Sequence, residues 1–380
     1  MSLNKELVGI LSQYFDKNEI AKFYHNIFDS VKLEDKTEIK LNKIDESQLS
    51  AKIPIGIKER EVINHLTTFA EQKLTKESFL ALLLELAHLT TFSGEVSIAT
   101  ELSQDVIAKC ESDDKLLKYL AEAHLSLARI AWSQAYWDQS QKEVSTSYKI
   151  YSKLKDKEGF AKCENMLATI YGEQGDIQKS LTHLETGLAF LADSDNISLR
   201  AMFEVNLGIL YNISGDNGKA IWNYKNALQK YEKLNDARRI ARVRHNIGML
   251  FTKMGEYQSA LEEFNQSISI SLENGYLSNC AIGYIGKAFI YTKLKNSALA
   301  EVFTDKAMEI SYKINDTLSI ADIYKIKGMI QGDLENFDLS EELFENSIRL
   351  NDDFNSKLNK AESEDELNIL YNKIDDKEVR

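Results

Sequence analysis

The sequence predicts an all-α fold: a solenoid of about seven stacked helix pairs, a helical N-terminal segment and a C-terminal capping helix. Three observations carry that prediction. Only Pro54 occurs in 380 residues, where ordinary usage of about 5% would supply roughly nineteen. Small residues recur at a constant interval of forty, and turn residues fall midway through the repeat. Scarce proline favours long helices with short connections over turn-rich strand proteins.

The N-terminal segment, residues 1–75, lacks the repeat. Its patterning predicts helices at Asn4–Phe15, Asn18–Val31 and Lys58–Gln72. Asp16 and Glu19 have capping-box spacing. Ala51–Ile57, with Pro54, reads as an extended connection.

The array, residues 76–350, divides into units near 80–116, 117–156, 157–196, 197–236, 237–276, 277–316 and 317–350. A small marker stands at Ala128, Ala168, Gly208, Gly248, Ala288 and Gly328. Seven residues before each lies Ala121, Ala161, Ala201, Ala241, Ala281 and Ala321. A weaker copy, one residue out of step, surrounds Ala87, Gly94-Glu95 and Ala99. After the marker comes a large residue (Tyr171, Tyr211, Phe251, Tyr291), then a turn at Gly175-Asp176, Gly215-Asp216 and Gly255-Glu256. Glycine there suits a left-handed C-cap, and the acid suits the next helix N-terminus. Second helices place Ala220 and Ala227, Ala300 and Ala307, or Ser340 and Ser347 around aromatics such as Tyr224 and Phe344. Small against large lets the two helices interlock. Asp156, Asp236 and Asp316 are placed to cap the following first helix. Residues 351–380 hold a capping helix over Ser363–Ile374, with Ser363 and Glu366 at capping-box spacing, and a frayed tail.

Leu207, Gly208, Tyr211, Ala220, Tyr224 and Ala227 together resemble the tetratricopeptide repeat (TPR), and the resemblance covers residues 80–350. The common unit has 34 residues and a proline near its end; these units have forty and none. Long units of this kind resemble kinesin light chains, Pins-type adaptors and bacterial receptors for signalling peptides. The resemblance implies a right-handed superhelix whose concave face binds peptides or protein segments.

The net charge of −13 disfavours a nucleic-acid partner. Cys110, Cys163 and Cys280, odd in number and widely spaced, fit a reducing compartment and small core positions. Met1–Phe15 has no signal-peptide pattern, and the apolar stretch Phe79–Leu89 is broken by Glu85. A cytoplasmic protein without a membrane partner is expected. The six histidines show no metal-ligand spacing, and no cysteine has a histidine within a helical turn. Gly215–Ala220 lacks the first glycine and the Ser or Thr of a phosphate loop. No enzyme, cofactor or metal is expected.

Counting each first helix from its alanine, positions two, five, six, nine, twelve and thirteen share the side away from the paired helix. The fourth full unit places Arg242, His245, Asn246, Met249, Thr252 and Lys253 there; the third places Met202, Val205, Asn206, Ile209, Asn212 and Ile213. Lys162 and Asn165, Lys293, Lys325 and Trp132 occupy the same side of other units. A carboxamide offers donor and acceptor together, as an extended peptide backbone requires, so Asn206 and Asn246 are candidate peptide ligands. The alternative is that both tie neighbouring helices together. Of the run Arg238, Arg239, Arg242 and Arg244, counting turns Arg242 to this face. There it suits an acidic side chain or a free C-terminal carboxylate, whereas Arg239 and Arg244 point elsewhere. Trp222, on a second helix, is assigned to packing.

The expected function is a protein- or peptide-binding adaptor, with homo-oligomerisation compatible with the sequence. The alternative is a peptide-sensing regulator in which the array binds a signalling peptide and residues 1–75 act on a transcription or response-regulator partner. Those residues show no helix-turn-helix and no basic recognition helix. On this reading, a chain starting near Lys73 folds and keeps ligand binding.

Overall fold

The computed structural model describes residues 2–30, 59–110, 113–314, 316–354 and 356–378, and the Pro54 connection lies outside them. Among the described residues there are eighteen α-helices and no strand. The chain divides into two compact units, Met1–Ile130 and Ala131–Arg380.

The first unit contains α1 (Ser2–Leu11), α2 (Lys17–Ser30), α3 (Glu59–Glu71), α4 (Lys76–Phe92) and α5 (Val96–Cys110). A 3-10 turn at Asp114–Leu116 leads into α6 (Leu117–Ser133). The Asp16 box forms as read: Glu19 N donates to Asp16 Oδ1 at 2.8 Å and Asp16 N to Glu19 Oε2 at 3.3 Å. Leu7, Leu11, Ile20, Phe23, Val62, Ile63 and Leu66 join Leu80, Leu83, Leu86 and Val106 in a single core. Phe69 packs between Phe15 and Phe23, ring centroids 5.4 and 5.8 Å away. Glu85, which breaks the apolar stretch of α4, accepts the Tyr14 hydroxyl at 2.6 Å. The N-terminal helices and the first helix pair therefore bury their apolar stripes against each other.

The second unit stacks helix pairs: α7 (Trp137–Leu154) follows α6, then α8/α9 (Lys157–Glu173, Ile177–Phe190) and α10/α11 (Ile197–Ser214, Asn217–Lys233). After them come α12/α13 (Ala237–Lys253, Tyr257–Asn274), α14/α15 (Leu277–Lys293, Ser297–Lys313) and α16/α17 (Thr317–Asp333, Phe337–Asp353). The last helix is α18 (Lys357–Glu378). Markers and second-helix aromatics interlock as read, with Gly208 against Tyr224, Gly248 against Phe264 and Gly328 against Phe344. Where serine replaces alanine on a second helix, its hydroxyl bonds back to the first. Ser340 donates to the Gly328 carbonyl at 2.7 Å, and Ser347 to the Ala321 carbonyl at 2.8 Å. Asp156, Asp236 and Asp316 each accept a backbone N–H three residues on, which caps the next first helix.

The forty-residue period is more complete in the backbone than in the sequence. Gly175, Gly215 and Gly255 are left-handed, with φ of 81°, 85° and 77°. So are Ala135, Lys295 and Glu335 at the equivalent turns, where no glycine marks the place. The C-terminal helix also departs from its sequence reading: it begins at Lys357, with Ser363 buried inside it. The Ser363 hydroxyl bonds the Asn359 carbonyl within its own helix, so it caps nothing. Ala361 continues the alanine series, and α18 is one more first helix in register. Trp222 is likewise corrected. It is 65% exposed, because Ala220, Asn223, Tyr224 and Ala227 take the buried face of α11.

Candidate functional site

In the second unit the first helices stand side by side and share one face. Asn206 on α10 donates to Asn165 Oδ1 on α8 at 2.9 Å. Lys253 on α12 donates to the Asn212 carbonyl on α10, and Lys373 on α18 to the Gly332 carbonyl on α16. Two units apart, Lys293 Nζ and Glu366 Oε1 lie 3.5 Å from each other. Neighbouring helix axes lie about 8–10 Å apart, so side chains two steps away meet only where the shared face curves inward.

The sequence-selected residues sort into two groups on this face. Asn165 is buried and holds Asn206, which also reaches Thr169 Oγ1 at 3.4 Å. Lys162, half-buried one turn earlier, is itself engaged by neighbouring groups. Asn212 accepts Lys253 through its backbone carbonyl, while its carboxamide oxygen is buried without a partner. Lys325, buried, is gripped by Glu362 at 2.6 Å and Asp322 at 3.5 Å. Burial pulls the Lys325 ammonium down, but these two carboxylates outweigh it and hold its pKa above the usual lysine value. Asn165, Asn206 and Lys325 are thus engaged across neighbouring units and serve the packing of one on the next.

Arg242, His245 and Asn246 form the second group, on α12. Among the described residues Arg242 makes no ion pair and no hydrogen bond, and the Asn246 carboxamide has no partner. The other arginines are engaged: Arg239 bonds Asp236 and Ser198, Arg244 pairs with Glu232 and Glu263, and Arg238 covers the Tyr276 ring. Arg242 is open to solvent, yet walls crowd it, and that desolvation lowers its pKa against the opposing pull of Asp316 and Glu173. His245 Nδ1 is buried without a partner. Burial, then the Arg242 charge, pushes the imidazole down to about 3, so it is neutral at physiological pH. Ile209, Ile213 and Met249 lie exposed on the same face. Trp132, on α6, is half-buried with an unpartnered indole N–H.

Sequence reasoning missed the acids of this face. Glu173, Asp322, Glu362 and Glu366 occupy positions thirteen, two, two and six of their units. Extending the alanine series to Ala361 would have found the last two. Glu173 is exposed and crowded; desolvation raises its pKa and Arg242 lowers it.

Elsewhere, His183 Nδ1 lies 2.6 Å from the buried Glu164 carboxylate, with Tyr171 stacked on the imidazole. All three cysteines are buried thiols outside any disulfide, with Cys163 Sγ 3.6 Å from Ser147 Oγ, and burial pushes the Cys110 and Cys280 thiols up to about 11. No group of three potential metal ligands occurs among the described residues. No described helix is long and apolar enough to cross a membrane.

Residues 199–273 match the tetratricopeptide repeat family. That segment is α10–α13, in the register of every neighbouring pair. The helix pairs of that segment match tetratricopeptide repeats, and the flanking pairs repeat their fold. A curated relative of this chain is the transcriptional activator NprA of Geobacillus stearothermophilus, 21% identical over 240 residues. The match covers 62% of this chain and 58% of that protein, so the chain spans less than two thirds of its relative. Among solved structures, a Rap protein complexed with competence and sporulation factor superposes with a TM-score of 0.55 at 13% identity. It covers 94% of this chain and 98% of its own. A signal transduction ATPase with a tetratricopeptide repeat sensor, from Pyrococcus horikoshii, gives 0.51 at 13% identity. It covers 87% of this chain and 56% of its own. At these identities the structural likeness concerns the TPR fold.

Proposed function

We propose that the first-helix face of Ala131–Arg380 binds an extended peptide segment, with Arg242 taking an acidic group and Asn246 the peptide backbone. One observation carries this reading: Arg242 and Asn246 stand unpartnered, one turn apart, where Lys325, Lys293 and Asn206 are already engaged. An unpaired guanidinium in a crowded concavity gains most from a carboxylate, which it can hold through two parallel hydrogen bonds. Exposed Ile209, Ile213 and Met249 offer apolar ground beside it. The ligand class that fits is a short peptide with a side-chain or C-terminal carboxylate flanked by apolar residues.

A second reading, a regulator that senses a peptide, is favoured by the Rap complex. That protein is complexed with competence and sporulation factor, and its fold matches across 94% of this chain. The relative named as a transcriptional activator points the same way. In this reading peptide capture in the second unit changes what the N-terminal helices present to a partner.

The test is capture of peptides from source-cell extract on the intact protein and on Arg242→Ala, followed by calorimetry of the recovered peptide at low and high salt. Arg242→Ala is expected to lose about 1–3 kcal/mol of binding, less at high salt, with an unchanged melting curve. Equal affinity in both proteins would place the ligand on another face.

A further inference from the structure

The side of the first helices that faces the second helices carries a ladder of paired ionisable groups. On α8 and α9, Glu164 meets His183 at 2.6 Å. On α10 and α11, Glu204 meets Lys230 at 2.6 Å. On α12 and α13, Arg244 meets Glu263 at 3.1 Å. Lys327 on α16 reaches back to Asp305 on α15 at 2.6 Å. Forty residues earlier the same reach is made by Lys287 on α14, but its partner is Asn265, at 2.8 Å. The carboxylate of the next unit is replaced by a neutral carboxamide, and the ladder breaks there.

A second cation converges on the break. Lys287 Nζ lies 4.2 Å from the centre of the Phe303 ring. Lys306 Nζ lies 5.7 Å from that ring and 5.6 Å from Tyr284. The ring of Phe303 is stacked with both Tyr284 and Tyr291. Neither lysine has an ion pair among the described residues. Ring faces offset part of the cost of holding two ammonium groups together, but they supply no full negative charge. Desolvation, then the Lys306 charge, lowers the pKa of Lys287. Beside them, Leu299 and Val302 are 38% and 47% exposed and share one stripe of α15 with Lys306. The equivalent stripe of α13 is Ser259, Glu262 and Gln266. In this unit an uncompensated cation pair thus stands next to an exposed apolar stripe.

We propose that Lys287 and Lys306, over the Phe303–Tyr284 stack, form a docking surface for an acidic segment of a partner protein. Its side-chain carboxylate lies between the two ammonium groups, and an adjacent apolar residue covers Leu299 and Val302. The surface uses positions that face the second helices, so it is distinct from the Arg242 face, and a partner here leaves that face open.

The probe is an acetylated, amidated peptide, Asp-Leu-Asp-Leu, added to the full chain with its lysines carrying 13C-dimethyl labels. The controls are the Asn-Leu-Asn-Leu peptide and inorganic phosphate. The acidic peptide is expected to shift the Lys287 and Lys306 signals together, with the asparagine peptide inert and phosphate weaker. Asn265→Asp restores the carboxylate that the next unit has, and should weaken the peptide about fivefold without loss of folding. Lys306→Gln should weaken it similarly. The proposal is overturned if the acidic peptide moves neither lysine, if the asparagine peptide moves them equally, or if Asn265→Asp binds as the parent does. Phosphate matching the peptide would also overturn it, because the apolar stripe would then add nothing.

Discussion

A β-carbon placed on Gly208 would stand 2.5 Å from Tyr224 Cε1. Tyr224 is 1% exposed, so its ring has nowhere to retreat. The same relation joins Gly248 to Phe264 and Gly328 to Phe344, sixteen residues apart each time. Where the marker is alanine the residue sixteen on is smaller: Val144, Leu184 or Thr304. Glycine on the first helix is thus paired with an aromatic ring on the second, and alanine with a smaller side chain, as close packing at the crossing requires.

Gly208→Ala is therefore expected to cost about 1–3 kcal/mol through overpacking, and Gly208→Leu more. Gly208→Ala with Tyr224→Leu recreates the Ala168/Leu184 combination and should recover much of the loss. Urea denaturation of the single and double variants measures the coupling. Additive losses would show that the crossing does not depend on this contact.

Asn206 and Asn246 look equivalent in sequence, but their substitutions should behave differently. Asn206→Ala strands the buried Asn165 carboxamide and is expected to destabilise the fold by about 1–3 kcal/mol. Asn246→Ala removes no hydrogen bond from the described protein and should leave the melting curve in place while weakening peptide binding. A melting curve for each variant beside its binding isotherm separates the two roles.

His245 contributes a pH dependence whose sign follows from its depressed pKa. The unfolded chain binds its proton near 6.5 and the folded chain near 3, so between those values the unfolded state holds more protons. Stability from this group is complete above the unfolded value and falls with pH, by at most about 1.4 kcal/mol per unit. His245→Gln should flatten that limb. Urea midpoints at several pH values between 7 and 4, for parent and variant, give the difference; parallel curves would remove His245 as the cause.

Cutting the chain at Lys73 removes Leu7, Leu11, Phe23, Val62, Ile63 and Leu66 from the core they share with α4 and α5. The truncated chain is expected to expose that apolar surface and aggregate, contrary to the separability read from the missing repeat signature. Size-exclusion chromatography with light scattering decides it; a monomer with a cooperative melt would show that the pair α4–α5 closes its own core.

The repeat was legible because it is written in small residues at a fixed interval. Alanine and glycine at a helix crossing have no substitute of other size, so composition at those positions reports geometry directly. The cap aspartates and the Asp16–Glu19 box were legible for a similar reason, since each acts within four residues of chain. The left-handed turns at Ala135, Lys295 and Glu335 were not, because packing of the flanking helices imposes a conformation that these residues do not favour locally. Helical counting assigns Arg242, Asn206, Lys293 and Lys325 to one face, but it gives only direction. Which of them is free depends on what stands opposite: Asn165 faces Asn206, Glu362 faces Lys325, Glu366 faces Lys293, and no carboxylate closes on Arg242. Those partners lie 37 to 73 residues away in sequence, and only the stacking and curvature of the first helices bring them within hydrogen-bond reach.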